Sequence, residues 1–183
     1  VIRLADVGSE RVPKDVLYRA IAEGELQRLS RGIYSLPGWG TSAHVSMAEV
    51  SAAVPQDVLC LLTAPRFHKL TTQNPPEVWV AIPAKARRSR RAPRSVRFVH
   101  LSDACFRAGV EVHVIDKVPV RIYSAAKTVA DCFKFRNQIG LDVAVEALHD
   151  FYSRNRSGLA LVSKYARVNR VARVIRPYLE SMR

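Results

Sequence analysis

The sequence predicts the α+β class, and three observations carry that prediction. Residues 13–36 pair a short amphipathic helix with a tight hairpin. Residues 77–123 hold short runs rich in Val and Ile, separated by turn residues, as strands require. From Ala125 onward the apolar residues recur at helical spacing.

The first helix opens at Pro13, whose missing N–H is not needed in a first turn. Val16, Leu17, Ala20 and Ile21 give it one apolar face, and Gly24 suits a left-handed cap that ends it. Leu26 and Leu29 then flank Gln27 and Arg28, and Ile33 and Leu36 flank Tyr34 and Ser35. Ser30-Arg31-Gly32 between them reads as a three-residue hairpin loop with Gly at the position of positive φ. A helix followed at once by a basic-tipped hairpin is the second half of a winged helix-turn-helix, which we assign to residues 1–40. Its earlier helix is expected upstream of the stretch 2–7. Lys14, Asp15, Tyr18, Arg19, Arg28, Ser30 and Arg31 form the exposed set. Within it, Lys14, Tyr18 and Arg19 are candidates to read base edges, and Arg28, Ser30 and Arg31 to hold phosphate or the minor groove.

Residues 37–43 form a turn-rich linker, so residues 41–183 are expected to be a second, α+β domain with a short mixed or antiparallel sheet and C-terminal helices. A helix is expected over Ser46–Val54 and another over Val58–Phe67, kinked or ended by Pro65. Glu77–Ile82 has continuous apolar character from Val78 on and reads as a central strand. Val96–His100 is a second strand, and Val110–Ile115 with Val118–Tyr123 forms a hairpin around Asp116-Lys117. Helices follow at Ala125–Arg136, Leu141–Tyr152 and Leu159–Met182, the second of them after Gly140. On a helical wheel, Leu161, Tyr165, Val168, Val171, Ala172, Ile175 and Leu179 share one arc of the last helix, with Arg167, Arg170 and Arg173 opposite and Arg176 at the edge.

The 183 residues carry 29 Lys and Arg against 16 Asp and Glu, a net charge of +13, which favours a polyanionic partner. The charge is uneven. Residues 1–40 are net +1, whereas residues 85–97 are +7 and residues 154–183 are +7. The DNA-reading module is therefore nearly neutral, and non-specific affinity must come from elsewhere. Lys85, Arg87, Arg88, Arg90, Arg91 and Arg94, in a segment that reads as a flexible loop, are one candidate secondary surface. Arg167, Arg170 and Arg173 are the other.

Catalytic signatures are missing. No phosphate loop, nucleophile elbow or dinucleotide fingerprint occurs. The strand ends offer Glu77-Val-Trp and Asp116-Lys-Val, neither with the Lys placed for a restriction-type nuclease. His44, His68, His100, His113 and His149 show no metal-ligand spacing, so neither metal nor cofactor is expected. Cys60, Cys105 and Cys132 lie far apart in apolar settings and read as buried thiols of a cytoplasmic protein. Lys127 and Asp131, four apart, read as a partly solvated ion-pair ladder, with Lys134 one turn on. The longest apolar run, Val58–Leu62, is too short to span a membrane, and no signal segment opens the chain.

Five segments together resemble one family: Leu26-Gln-Arg-Leu-Ser-Arg-Gly-Ile-Tyr34, residues 66–75, Glu77-Val-Trp-Val-Ala-Ile-Pro83, residues 126–142 and Arg176-Pro-Tyr-Leu-Glu180. They look like the AbiEi-type antitoxins, transcriptional regulators of abortive-infection toxin–antitoxin systems of type IV. The resemblance runs over nearly the whole chain and is most specific over 126–148. It implies a winged helix that binds inverted repeats in double-stranded operator DNA and represses its own operon. It further implies a C-terminal domain that counteracts a nucleotidyltransferase-like toxin without a tight complex, and no catalysis. The chain departs from the family pattern at Pro65, at Lys69 where Gly follows the His, and at Lys117 where a hairpin Gly is usual. Two other functions remain open at this point: a DNA reader fused to a nuclease-like domain, tested by metal-dependent cleavage lost on mutating Asp116 or Glu77, and a module that binds RNA or an acidic partner.

Overall fold

A computed structural model describes residues 2–3, 13–30, 33–37 and 43–182. The N-terminal part contains β1 (Ile2–Arg3), α1 (Lys14–Ala22), β2 (Gln27–Ser30) and β3 (Ile33–Ser35). The strands form an antiparallel sheet in the order β1-β3-β2. Gly24 takes φ 75°, Glu25 N–H donates to Ala20 O at 2.9 Å and Gly24 N–H to Ile21 O at 3.2 Å. This is a Schellman cap, as the glycine predicts. Leu17, Ala20 and Ile21 are half-buried. Val16, expected beside them, is 47% exposed.

The larger sheet is built from β4 (Val58–Leu59), β5 (Val78–Pro83), β6 (Val96–Leu101), β7 (Val110–Ile115) and β8 (Val118–Tyr123). Its order is β6-β5-β4-β8-β7 and it is mixed: β5 and β6 are parallel, as are β4 and β8, while β4–β5 and β7–β8 are antiparallel. The chain is α+β, and β5 is flanked on both sides, as its apolar run requires. The β7–β8 hairpin turns at Asp116-Lys117 as expected, with Ile115 paired to Val118.

One expectation fails here. Val58–Phe67 is not one helix. Val58 and Leu59 form the middle strand, hydrogen-bonded on both sides, and the helix α3 begins only at Thr63 (Thr63–Phe67). A short fully buried strand and a buried helix have the same composition, so sequence alone does not separate them. Pro65 neither kinks nor ends α3. As the third helical residue it has an N–H position that no intrahelical acceptor needs.

Helix α2 (Ala43–Ala53) covers one face of the sheet, where Met47, Val50 and Val54 meet Val78, Val80, Val120 and Ile122. On the other face, Trp79, Val99, Leu101 and Tyr123 join Cys105 of α4 (Asp103–Arg107). A helical layer follows: α5 (Ala125–Lys134), α6 (Arg136–Ile139), α7 (Leu141–Arg154), a 3-10 turn (Arg156–Gly158), α8 (Leu159–Val168) and α9 (Ala172–Glu180). Val129, Phe133, Leu148, Phe151, Val162 and Ile175 are its core.

The expected continuous helix 159–182 is thus two helices. Arg170 takes φ 61°, and Val171 N–H closes a Schellman cap on Ala166 O at 2.8 Å. The wheel does not carry through such a bend. Leu161, placed on its apolar arc, is 48% exposed, and Val162 and Ala166 are buried instead.

Candidate nucleic-acid interface

On the helix–hairpin unit, Tyr18 is 65% exposed, and Arg19 and Arg28 are exposed. Lys14 is the first residue of α1, but its side chain lies outside the described residues, as does Arg31 entirely. Ser30 is not in the hairpin loop. It ends β2, paired with Ile33 after a register shift between Arg28 and Ser30. An irregularity there bends and twists a strand next to its tip.

The basic segment joins the parallel strands β5 and β6 as a crossover. Parallel strands cannot be joined by a tight turn, so the length of this connection follows from topology. It is not a free arm. Ala92 packs against the core under α2, His100 Nε2 donates to Ala86 O at 3.3 Å, and Ala86 N–H donates to Pro83 O at 2.9 Å. Anchoring the chain at its small residues leaves Lys85, Arg87, Arg88, Arg90, Arg91 and Arg94 all exposed. Arg97, the last charge of the segment, belongs to β6. Parallel pairing sets it beside Trp79. Its guanidinium lies 4.4 Å from the centre of the Trp79 ring and 3.5 Å from the Glu77 carboxylate. Trp79 itself is buried, and the guanidinium stacks over its ring. A groove of about 700 Å³ runs along β6, with Arg88 and His100 on one wall and Arg97, Phe135 and Gln138 on the other. Sequence reading missed this groove. The signal available was Arg97 at the end of the basic run, opening a strand that pairs with the one following Glu77.

The C-terminal arginines are exposed but not on one continuous helix face. Arg167 is in the last turn of α8, Arg170 at the left-handed bend and Arg173 in the first turn of α9.

A second polar constellation is buried. Lys127 and Asp131 are 0% and 1% exposed, with Nζ and Oδ1 2.5 Å apart. This overturns the solvated ladder: α5 packs against α7 and α8, and the Tyr123 ring lies against Lys127, so both charges lose water. Asn169 Nδ2 donates to the same Asp131 Oδ1 at 2.8 Å, and the Lys127 ammonium sits 4.3 Å from the centre of the Tyr123 ring. Tyr123 Oη donates to Phe106 O, and burial followed by the nearby Asp131 charge pushes its phenol far up. Burial likewise raises the Cys60 and Cys132 thiols, again reinforced by Asp131. Lys134 Nζ donates to Cys105 Sγ at 3.3 Å. Apart from the half-buried Lys134, these groups are buried and build a structural centre rather than a reactive one.

Glu77 precedes β5 and is paired with Arg97, while Asp116 sits at the β7–β8 turn on the far side of the sheet. The fold therefore does not bring these two carboxylates together. His68 and His113 approach each other around Phe67, with His68 Nε2 donating to Tyr123 O at 2.7 Å. No cluster of three metal-ligating side chains occurs among the described residues. No helix among them is long and apolar enough to cross a membrane. Compared with protein-family models and with curated proteins, the chain matches none.

Proposed function

We propose that this chain is a sequence-reading DNA-binding autorepressor and the antitoxin half of a type IV toxin–antitoxin system. The observation that carries the reading is the helix–hairpin unit. α1 is closed by the Gly24 cap, β2 starts at Gln27, and Tyr18, Arg19 and Arg28 remain exposed. The order β1-β3-β2, with α1 between β1 and β2 in sequence, supports a winged helix at residues 1–40. Residues 41–183 are read as the domain that opposes the toxin.

In this reading Lys14, Tyr18 and Arg19 read bases. Arg28, Ser30 and Arg31 hold the backbone or minor groove. The exposed arginines of the crossover, with Arg167, Arg170 and Arg173, add sequence-independent attraction to phosphate. Inverted repeats place two copies on one operator without requiring a dimer in solution. The toxin side of the reading rests on the resemblance carried by residues 66–75, 77–83, 126–142 and 176–180.

The test is a titration against labelled duplex DNA from immediately upstream of the gene, beside a shuffled duplex, at two salt concentrations. A preference of about tenfold, about 1.4 kcal/mol, supports a sequence-reading repressor. Equal, steeply salt-dependent binding to both duplexes sinks it. Growth rescue on co-expression with a nucleotidyltransferase-like toxin of such a system tests the antitoxin half separately.

A further inference from the structure

We propose that the open edge of β6 accepts an extended acidic polypeptide segment as an added strand. Three observations converge on it, and none uses the DNA-reading unit. The first is the hydrogen-bond phase of the strand. Val78 N–H donates to Ser95 O at 2.8 Å, so by alternation the peptide groups of Arg97, Val99 and Leu101 face β5. Those of Phe98 and His100 then face outward. β6 ends the sheet, and no hydrogen bond from another element closes these groups among the described residues.

The second observation is the groove beside that edge, about 700 Å³ in volume. Side chains of a guest strand point alternately to its two walls. One wall carries Arg88 of the crossover. The other carries the Arg97 guanidinium on Trp79, with Phe135 and Gln138. The third is charge. The crossover presents Lys85, Arg87, Arg88, Arg90, Arg91 and Arg94, all exposed, with no acidic residue among them. A guest with carboxylates at every second position turns them to the Arg88 wall and turns its apolar side chains to Phe135 and the Arg97–Trp79 stack, where Glu77 already pairs with the guanidinium. A nucleic acid would use the charge, but it has no partner for the row of peptide N–H and C=O groups, which is why the peptide is favoured.

The experiment is a fluorescence anisotropy titration of the full chain with a labelled peptide of about ten residues alternating Glu and Val, at moderate salt. Saturable binding is expected. Methylating alternate backbone amides of the peptide removes strand donors and leaves its charge, and should weaken binding about tenfold or more. Arg88→Ala, in an exposed loop where folding is not at stake, and Arg97→Ala should each weaken it as well. Amide exchange at Phe98 and His100 should slow in the complex. Equal binding of the methylated peptide would mean that charge acts alone and would overturn the proposal. So would displacement of the peptide by oligothymidylate whose binding is lost with Arg97→Ala, a residue of β6 outside the phosphate-attracting crossover set, which would make the groove a nucleic-acid site. Failure of any peptide to saturate would leave the basic residues as guards that keep the edge from pairing.

Discussion

Asp131 shows how much one side chain decides. It holds the buried Lys127 ammonium and the Asn169 amide on a single oxygen, while its Oδ2 and the Asn169 Oδ1 have no partner among the described residues. Desolvating such groups costs more than the pair returns, so the cluster is a poor source of stability. Removing one member is nevertheless severe. Asp131→Ala strands a buried ammonium and should lower unfolding free energy by about 3–5 kcal/mol in urea denaturation. Lys127→Met combined with Asp131→Leu should cost less than Asp131→Ala alone. Gly109 is bound to the same centre. It has φ +68°, and a Cβ there would lie 2.8 Å from Lys127 Cβ. Asp57 gives a pH effect. Burial, partly opposed by the Arg121 charge, raises its pKa from 3.8 to about 6. Between those values the folded chain keeps a proton that the unfolded chain releases, so stability falls as pH rises through that window. Thermal melts should show this fall, and Asp57→Asn should flatten it.

At the scale of elements, the same cap recurs with different residues. Leu70 N–H donates to Pro65 O at 2.7 Å behind Lys69 at φ 56°, repeating the geometry found at Gly24 and Arg170. The β7–β8 turn takes φ 50° at Asp116 and 64° at Lys117, which is the sense of turn that matches the strand twist. Lys69 and Lys117, where the chain departs from the pattern of the family its sequence resembles, thus fall on left-handed backbone. An L side chain costs about 1–2 kcal/mol there. Lys69→Gly, Arg170→Gly and Lys117→Gly should therefore each raise stability by about 1 kcal/mol, less the entropy that glycine adds to the unfolded chain. A Lys117→Gly variant that melts lower than the parent would refute this account of the turn. The hairpin itself was legible because two Val-rich runs flank a two-residue gap. The α8–α9 bend was not, because no Gly or Pro marks it. Asn169 reaches buried Asp131 from that bend, a contact 38 positions away in the chain.

For the whole molecule, charge is distributed so that specificity and raw affinity are separable. The helix–hairpin unit proposed to read DNA is nearly neutral, and the crossover carries an uncompensated positive field. Neutralising Arg87, Arg88, Arg90 and Arg91 together should weaken binding to every duplex and make the salt slope shallower by up to about 4 units. Lys14→Ala with Arg19→Ala should instead erode the preference for operator over shuffled DNA and leave most of the slope. Parallel titrations of the two variants separate these outcomes. Loss of specificity alone in the crossover variant would contradict this division of labour.

The amino-acid sequence by itself determined the α+β class, the cap at Gly24, the β7–β8 hairpin and the concentration of charge in residues 85–97. Each is written in local spacing, turn chemistry or composition. Only the tertiary structure decided that Val58-Leu59 is the middle strand, that Lys127 and Asp131 are sealed in, and that Arg97 covers Trp79 beside an open sheet edge. Burial and pairing depend on which distant segment lies alongside. A short apolar run, or a Lys four residues before an Asp, reads the same whether water or another helix covers it.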